Sequence, residues 1–387
     1  MHKTVLTCDI GTTSLKTAVI SKNGDELAFA QCPFKNPDDR YISLEWIKAF
    51  ERCICEMGEK INLCEAVSIS GNGPTVVTED GSTVLWNAQF DENCIQNFQM
   101  KNQCGSLFLP KIIMLKGLYP NEFKKSKTIF SGPEFLIWQL TESRVTILPE
   151  ERYINAYWTD ELLELNKINK NKLPEYKKIG EVYGFVRNAP PKEMDLSWGA
   201  LSKIKGLPVY GAGPDFIAAM IGTGCTKIGA LCDCAGSSEG FNLCIPLPYK
   251  DSRIRLLPSV TPGLWNAAVM IPKSGRYLTD YKSKLEKETG KIWTYSEIID
   301  LCFDDEKSEG HNILKTLLEN SENAMTVLKE IADNCNISFP QKMFVAGGQG
   351  KNKRWMETKE KQLGIKLEIS KIADAELLGD WMITQNQ

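Results

Sequence analysis

Between Asp9 and Lys16, the stretch "CDIGTTSLKTAVI" (residues 8–20) gathers a carboxylate, a glycine, three hydroxyls and an ammonium. Gly11 lets the backbone approach an anion closely, and successive N–H groups in such a bend form a concavity for phosphate oxygens. Thr12, Thr13 and Ser14 add hydroxyl donors, and Lys16 adds positive charge. Asp9 is suited to holding a magnesium ion through water, since that cation prefers oxygen ligands. A second stretch, "ALCDCAGSSEG" (230–240), repeats the theme with Gly236, Ser237 and Ser238. Two such hairpins, gripping one polyphosphate from two domains, suit a nucleoside triphosphate better than a single-domain dinucleotide site. Coincidence between two ordinary turns is the plainer reading of the echo, because Gly and Ser are common in turns.

Two further segments end strands in glycine. In "VYGAGPDFIAAMIGTG" a strand precedes Gly-Ala-Gly and a helix follows, yet Phe216 stands where a dinucleotide fingerprint needs its third glycine. Asp215 opens the helix, where the dipole favours a carboxylate, and a simple capping role would explain it equally well. In "FVAGGQGKNKRW" the side-chain-free Gly347 and Gly348 would let a flat adenine ring lie against backbone, or would merely turn a strand into a helix.

The elements that position these residues alternate. "TVLTCDI" and "LKTAVISKNGDELAFA" read as strands, the latter with Asn-Gly hairpin chemistry. "SLEWIKAFERCICEM" places Leu44, Ile47, Phe50 and Ile54 at helical spacing behind Ser43 as N-cap. "AVSIS" is a buried strand, and "TVVTEDGSTVLW" another. Helical patterns dominate from 105 to 142, and "LPVYGAG" returns to strand. The far half runs through a hairpin at "IGALCDCAGSSEGFNLC", a helix at "HNILKTLLENSENAMTVLKEIADN", the strand "KMFVAGG" and a closing helix. This alternation implies an α/β architecture.

A length of 387 residues suits two domains, and 42% hydrophobic with 25% charged residues is a globular composition. A net charge of −3 offers no basic excess for a nucleic-acid partner. The expected setting is cytoplasmic: no signal-peptide pattern opens the chain, and no run reaches the about 18 apolar residues that span a membrane. The thirteen cysteines include C-x-C pairs at Cys53/Cys55 and Cys232/Cys234 on apolar stretches, and only two histidines exist. Reduced, buried thiols are therefore expected rather than disulfides or a metal centre.

In this order the pieces resemble the FGGY carbohydrate kinases of the actin-like ATPase superfamily, nearly end to end. "DIGTTSLK" is similar to the first phosphate motif, "PKIIMLKGLYPNEFKKSKTIFSGPEFLIWQLT" (110–141) to a helical stretch ending in Leu-Thr, and "GAGPDFIAAMIGTG" to the segment of the catalytic aspartate. "AGSSEG" resembles the second phosphate motif, and "AGGQGKNKRWMETKEKQLG" with "ADAELLGDW" the adenosine-binding end. The resemblance implies two ribonuclease H-like domains with a catalytic cleft between them: 1–224 on the sugar side and a shortened 225–387 on the nucleotide side. It implies ATP and Mg²⁺ as cofactors and a sugar or polyol as substrate, and it allows a homodimer.

Asp215 would then be the general base toward the attacking hydroxyl. Gly11, Thr12, Thr13, Lys16, Gly236, Ser237, Ser238, Gly347, Gly348, Gln349 and Asn352 would bind ATP. Asn72, Gly73, Trp86, Asn87 and Asp91 would join Asp215 around the substrate. Departures cluster on that side: "SGNGPTVV" replaces the Gln-Met-His-Gly run of xylulokinases, and "WNAQF" puts Ala88 and Phe90 where polar groups grip hydroxyls. The Arg-Glu pair of glycerol kinases is absent too; with Ala88 and Phe90 in place of polar residues, a ketose or larger polyol is expected over glycerol. A catalytically weak relative that senses nucleotide or sugar is the alternative.

Overall fold

The computed structural model describes residues 4–35, 38–89, 106–189, 199–236 and 238–385. They form two compact units, one of 1–218 with 376–387 and one of 219–375.

The first unit is built on a six-stranded sheet. Its strands are β1 (Thr4–Ile10), β2 (Ser14–Ser21), β3 (Glu26–Pro33), β4 (Ala66–Gly71), β10 (Gly184–Phe185) and β11 (Pro208–Pro214), in the order β10-β11-β4-β1-β2-β3. β1 runs antiparallel to β2 and parallel to β4, and β11 is parallel to β4. Every residue of β1 is buried, as a central strand requires. Helix α1 (Ser43–Glu56) lays Trp46, Ile47, Phe50, Cys53 and Ile54 onto a core that includes Leu6, Cys8, Leu15 and Val19.

Two local expectations differ from the structure, and the helical stretch is borne out with one short interruption. Ser43 is not the N-cap of α1: Ile42, in helical conformation, precedes the helix, and the buried Ser43 hydroxyl donates to the Gly81 carbonyl at 2.9 Å. "TVVTEDGSTVLW" is not one strand but the hairpin β5 (Val76–Thr78) and β6 (Thr83–Val84), because Gly81 takes a left-handed φ of 88°. The helical run holds α2 (Leu109–Leu118), α3 (Pro120–Lys125) and α4 (Gly132–Thr141), interrupted by β7 (Ile129–Ser131), which pairs with β5. Two short strands, β8 (Thr146–Leu148) and β9 (Tyr176–Lys178), pair separately.

The second unit repeats the plan. Its strands are β12 (Leu231–Ala235), β13 (Glu239–Ile245), β14 (Arg255–Pro258), β15 (Trp265–Ile271), β16 (Lys342–Gly347) and β17 (Lys366–Ile369), in the order β14-β15-β13-β12-β16-β17. β12 is antiparallel to β13 and parallel to β16, just as β1 is antiparallel to β2 and parallel to β4. Helix α5 (Asp215–Gly222) leads out of β11, and α6 (Ser274–Thr289), α7 (Tyr295–Asp304), α8 (Glu309–Asn334) and α9 (Lys353–Leu363) complete this half. α8 buries Leu314, Leu317, Ala324, Met325, Leu328 and Ile331 at helical spacing, and its second half packs on Phe241, Leu243 and Met343 of the sheet.

The second unit ends at 375, and 376–387 belong to the first. All but the first residue of helix α10 (Ala375–Gln385) belongs to the first unit. Asp380 accepts hydrogen bonds from the hydroxyls of Ser68 at 3.2 Å and Ser70 at 2.6 Å on β4. Trp381 packs beside Val5, Ala66 and Tyr210. A Cβ on Gly379 would lie 1.9 Å from the Ala218 carbonyl, so only glycine permits this backbone approach.

Candidate active site

The first turn is tight because Gly11 N–H donates to the Ser14 carbonyl at 3.0 Å, and a Cβ on Gly11 would stand 2.9 Å from that same oxygen. Thr12 and Lys16 are half-buried and Thr13 is exposed. Lys16 sits opposite Asp9 in the β1–β2 ladder. Asp9 is 5% exposed, and its Oδ1 has no hydrogen-bond partner among the described residues. Burial raises its carboxyl well above the usual range; the Glu376 charge adds to this, Lys16 opposes it, and Asp215 and Asp380 add further. A cation beside Asp9 would relieve that repulsion. Among the described residues no three His, Cys, Asp or Glu side chains stand close enough to cage a metal. The site therefore fits a cation held by one carboxylate, water and phosphate oxygens, as magnesium prefers.

Asp215 is aimed by its strand. β11 carries a bulge between Gly211 and Gly213, and Gly213 takes a left-handed φ of 77° two residues before Asp215. A Cβ on Gly211 would lie 2.5 Å from the Ile69 carbonyl. The Gly-Ala-Gly run thus serves a bulge and a close strand approach. The Asp215 Oδ1 accepts from the adjacent Phe216 N–H at 2.8 Å, whereas an N-cap bonds the amide two or three residues on.

The expected sugar-side residues meet the first turn. Asn72 Nδ2 donates to the Gly11 carbonyl at 2.9 Å, and its Oδ1 accepts from the Thr75 hydroxyl at 2.8 Å. Trp86 Nε1 donates to Thr12 Oγ1 at 3.1 Å. A Cβ on Gly73 would stand 3.1 Å from Pro214, so this glycine sets the spacing to the strand end that carries Asp215. Asn87 is exposed. Phe90, Asp91 and Ser237 lie outside the described residues. Lys111, which the sequence reading passed over, is buried and donates to the Ala88 carbonyl at 2.6 Å; burial lowers its ammonium to about 8.

In the second unit Gly236 N–H donates to the Ser238 carbonyl at 2.9 Å, closing a turn one residue shorter than the first. Gly347 takes a φ of 99°, and a Cβ there would lie 2.0 Å from the Ala235 carbonyl, which brings the two glycine turns of this unit side by side. A Cβ on Gly348 would meet open space. Gln349 is buried; its Oε1 accepts from Trp355 Nε1 at 3.0 Å while its Nε2 has no partner among the described residues. Asn352 behaves otherwise. Its Oδ1 caps α9 by accepting from Trp355 N–H at 2.8 Å, and its Nδ2 donates to Ser296 and Asp300, so its amide is spent on the fold.

Among the described residues the eleven cysteines are free thiols, mostly buried, with Cys55 exposed. No helix among them is long and apolar enough to cross a membrane.

No family model matches the chain. The glycerol kinase of Mycoplasmopsis pulmonis is 24% identical over 270 residues, 59% of this chain and 51% of that protein. The chain spans about half the length of the curated relatives it matches. The xylulose kinase from Rhodospirillum rubrum superposes with a TM-score of 0.72 at 16% identity, covering 99% of this chain and 90% of that one. The Plasmodium falciparum glycerol kinase with ADP gives 0.70 at 15% identity, covering 98% and 88%. With its repeated sheet in each half, the chain shares the two-unit α/β fold of these xylulose and glycerol kinases.

Proposed function

We propose that this protein transfers the γ-phosphoryl group of ATP to a hydroxyl of a ketose or larger polyol. The observation that carries the reading is the grouping, in the first unit, of Asp9 and Lys16 at the Gly11 turn, to which Asn72 is bonded, with the next residue, Gly73, against the Pro214 that precedes Asp215. Phosphoryl transfer asks for charge neutralisation, in-line placement and a proton acceptor, and little covalent chemistry. Asp215 takes the proton of the attacking hydroxyl, and Lys16 with the amides of the Gly11 turn meets phosphate charge. Asp9 would hold magnesium through water, and the bound ion would supply charge neutralisation for the phosphates. The Gly236 turn binds phosphate, the open face of Gly348 takes adenine, and Gln349 Nε2 supplies a donor. Asn72, Gly73, Trp86 and Asn87 line the acceptor side.

The named relatives support the class, since the solved neighbours are xylulose and glycerol kinases. Ala88 replaces a polar group of the resemblance, which favours a larger acceptor than glycerol. An ADP-release assay over pentuloses, hexuloses, polyols and glycerol tests this. Turnover that depends on one ketose or large polyol is expected. ADP binding without turnover on any acceptor would select the sensor reading instead.

A further inference from the structure

Lys359 of α9 is 1% exposed, yet it is an ammonium in the middle of the second unit. Its Nζ lies 2.6 Å from Asp233 Oδ2 and 2.6 Å from Glu239 Oε1. Glu239 Oε2 accepts in turn from the buried Ser274 hydroxyl at 2.6 Å. The two carboxylates flank one feature. Asp233 lies on β12, ahead of the Gly236 turn, and Glu239 is the first residue of β13, paired with Ala235 across the ladder. One ammonium therefore ties both strands together at the neck of the turn.

Comparison with the first turn shows why this arrangement is particular to the second. Asp9 stands two residues before Gly11, whereas Asp233 stands three before Gly236. Strand side chains alternate faces, so the two aspartates take opposite sides relative to their turns. Asp233 is fully buried and meets Lys359, where Asp9 faces Lys16 across the ladder.

The helix that supplies Lys359 has a second attachment. α9 begins directly after the Gly347–Gly348–Gln349 turn, is capped by Asn352, and holds Gln349 through Trp355. The clamp thus joins the helix behind one glycine turn to the two strands of the other. A buried ion pair contributes little net stability, because desolvation offsets most of its attraction, and its better-attested use is to fix one arrangement among several. Asp233 Oδ1 even remains without a partner among the described residues.

We propose that Lys359 is a positioning residue for nucleotide: it fixes the Gly236 turn against the Gly348 turn so that both meet one nucleotide. The proposal rests on the nucleotide reading of those turns. It is tested with the full chain by ADP titration, by the KM for ATP and for the acceptor, and by amide exchange over residues 235–239. Lys359→Met, measured well below its melting temperature, should weaken ADP and raise the KM for ATP by about tenfold or more, since small misplacement is costly. The KM for the acceptor should stay within about twofold, and the turn amides should exchange faster.

A second variant separates positioning from bare charge burial and serves if Lys359→Met fails to fold. The triple variant Lys359→Met, Asp233→Asn, Glu239→Gln leaves no uncompensated charge while keeping the side-chain shapes. Continued loss of ADP affinity in the folded triple variant is the expected result. Wild-type ADP affinity in either folded variant would overturn the proposal. Wild-type protein that binds no ADP would remove the nucleotide reading itself, and the proposal with it.

Discussion

Asn72 Nδ2 donates to the Gly11 carbonyl at 2.9 Å, joining the end of β4 to the first turn. A residue expected to touch the acceptor therefore also holds the loop expected to touch phosphate. Asn72→Ala would remove a donor from the Gly11 carbonyl and the acceptor of the buried Thr75 hydroxyl, and leaving a buried polar group unmade costs about 1–3 kcal/mol. Urea unfolding should show that loss together with a fall in kcat/KM. An unchanged unfolding free energy would mean that the bond contributes nothing to the turn.

Asp215→Asn separates chemistry from capping. A carboxylate base contributes about 10²- to 10⁴-fold by accepting a proton in the transition state. The asparagine keeps the shape but cannot take that proton, so kcat should fall by at least about a hundredfold with ATP affinity retained. As a mere helix cap, asparagine would serve equally well. A near-normal kcat in the folded variant would defeat the base assignment.

Gly348 and Gly347 are adjacent yet should respond in opposite ways. A side chain on Gly348 meets open space, so Gly348→Val should fold normally, raise the KM for ATP several-fold and leave the acceptor KM unchanged. Gly347→Ala should destabilise the protein outright, because its Cβ would collide with the Ala235 carbonyl at 2.0 Å. ATP kinetics beside thermal melts would check both, and an unaltered ATP KM in Gly348→Val would displace adenine from this face.

Stability should fall as pH rises from about 4 to about 8. Glu134 is fully buried; its Oε1 accepts from Ile147 N–H at 2.9 Å while Oε2 has no partner among the described residues. Burial pushes its carboxyl up to about 7 against the pull of backbone amides. Burial likewise pushes Asp380 up to about 8, against the Ser70 and Ser68 hydroxyls. The fold thus keeps protons that the unfolded chain releases near pH 4, so the unfolded state gains as pH rises through that window. Glu134→Gln should remove part of the slope, which urea midpoints at pH 5 and pH 8 would show. An unchanged slope would mean that Glu134 is ionised in the fold.

What the sequence by itself determined is what local chemistry writes into neighbouring residues. Gly11 with its hydroxyls, the central strand "TVLTCDI", the helical spacing through Ile47, Phe50 and Ile54, and the echo between the two Cys-Asp turns were all legible, because turn geometry and burial period act within a few residues. The tertiary structure decided what distant residues do to each other. Asp380 bonds Ser68 from 312 positions away, which returns the last helix to the first unit. Lys359 meets Asp233 across 126 positions, Asn352 spends its amide on α7, and Gly213 turns Gly-Ala-Gly into a bulge. Such pairings leave no periodic trace in a single chain, since burial and hydrogen-bond satisfaction are fixed only once the strands and helices have chosen their neighbours.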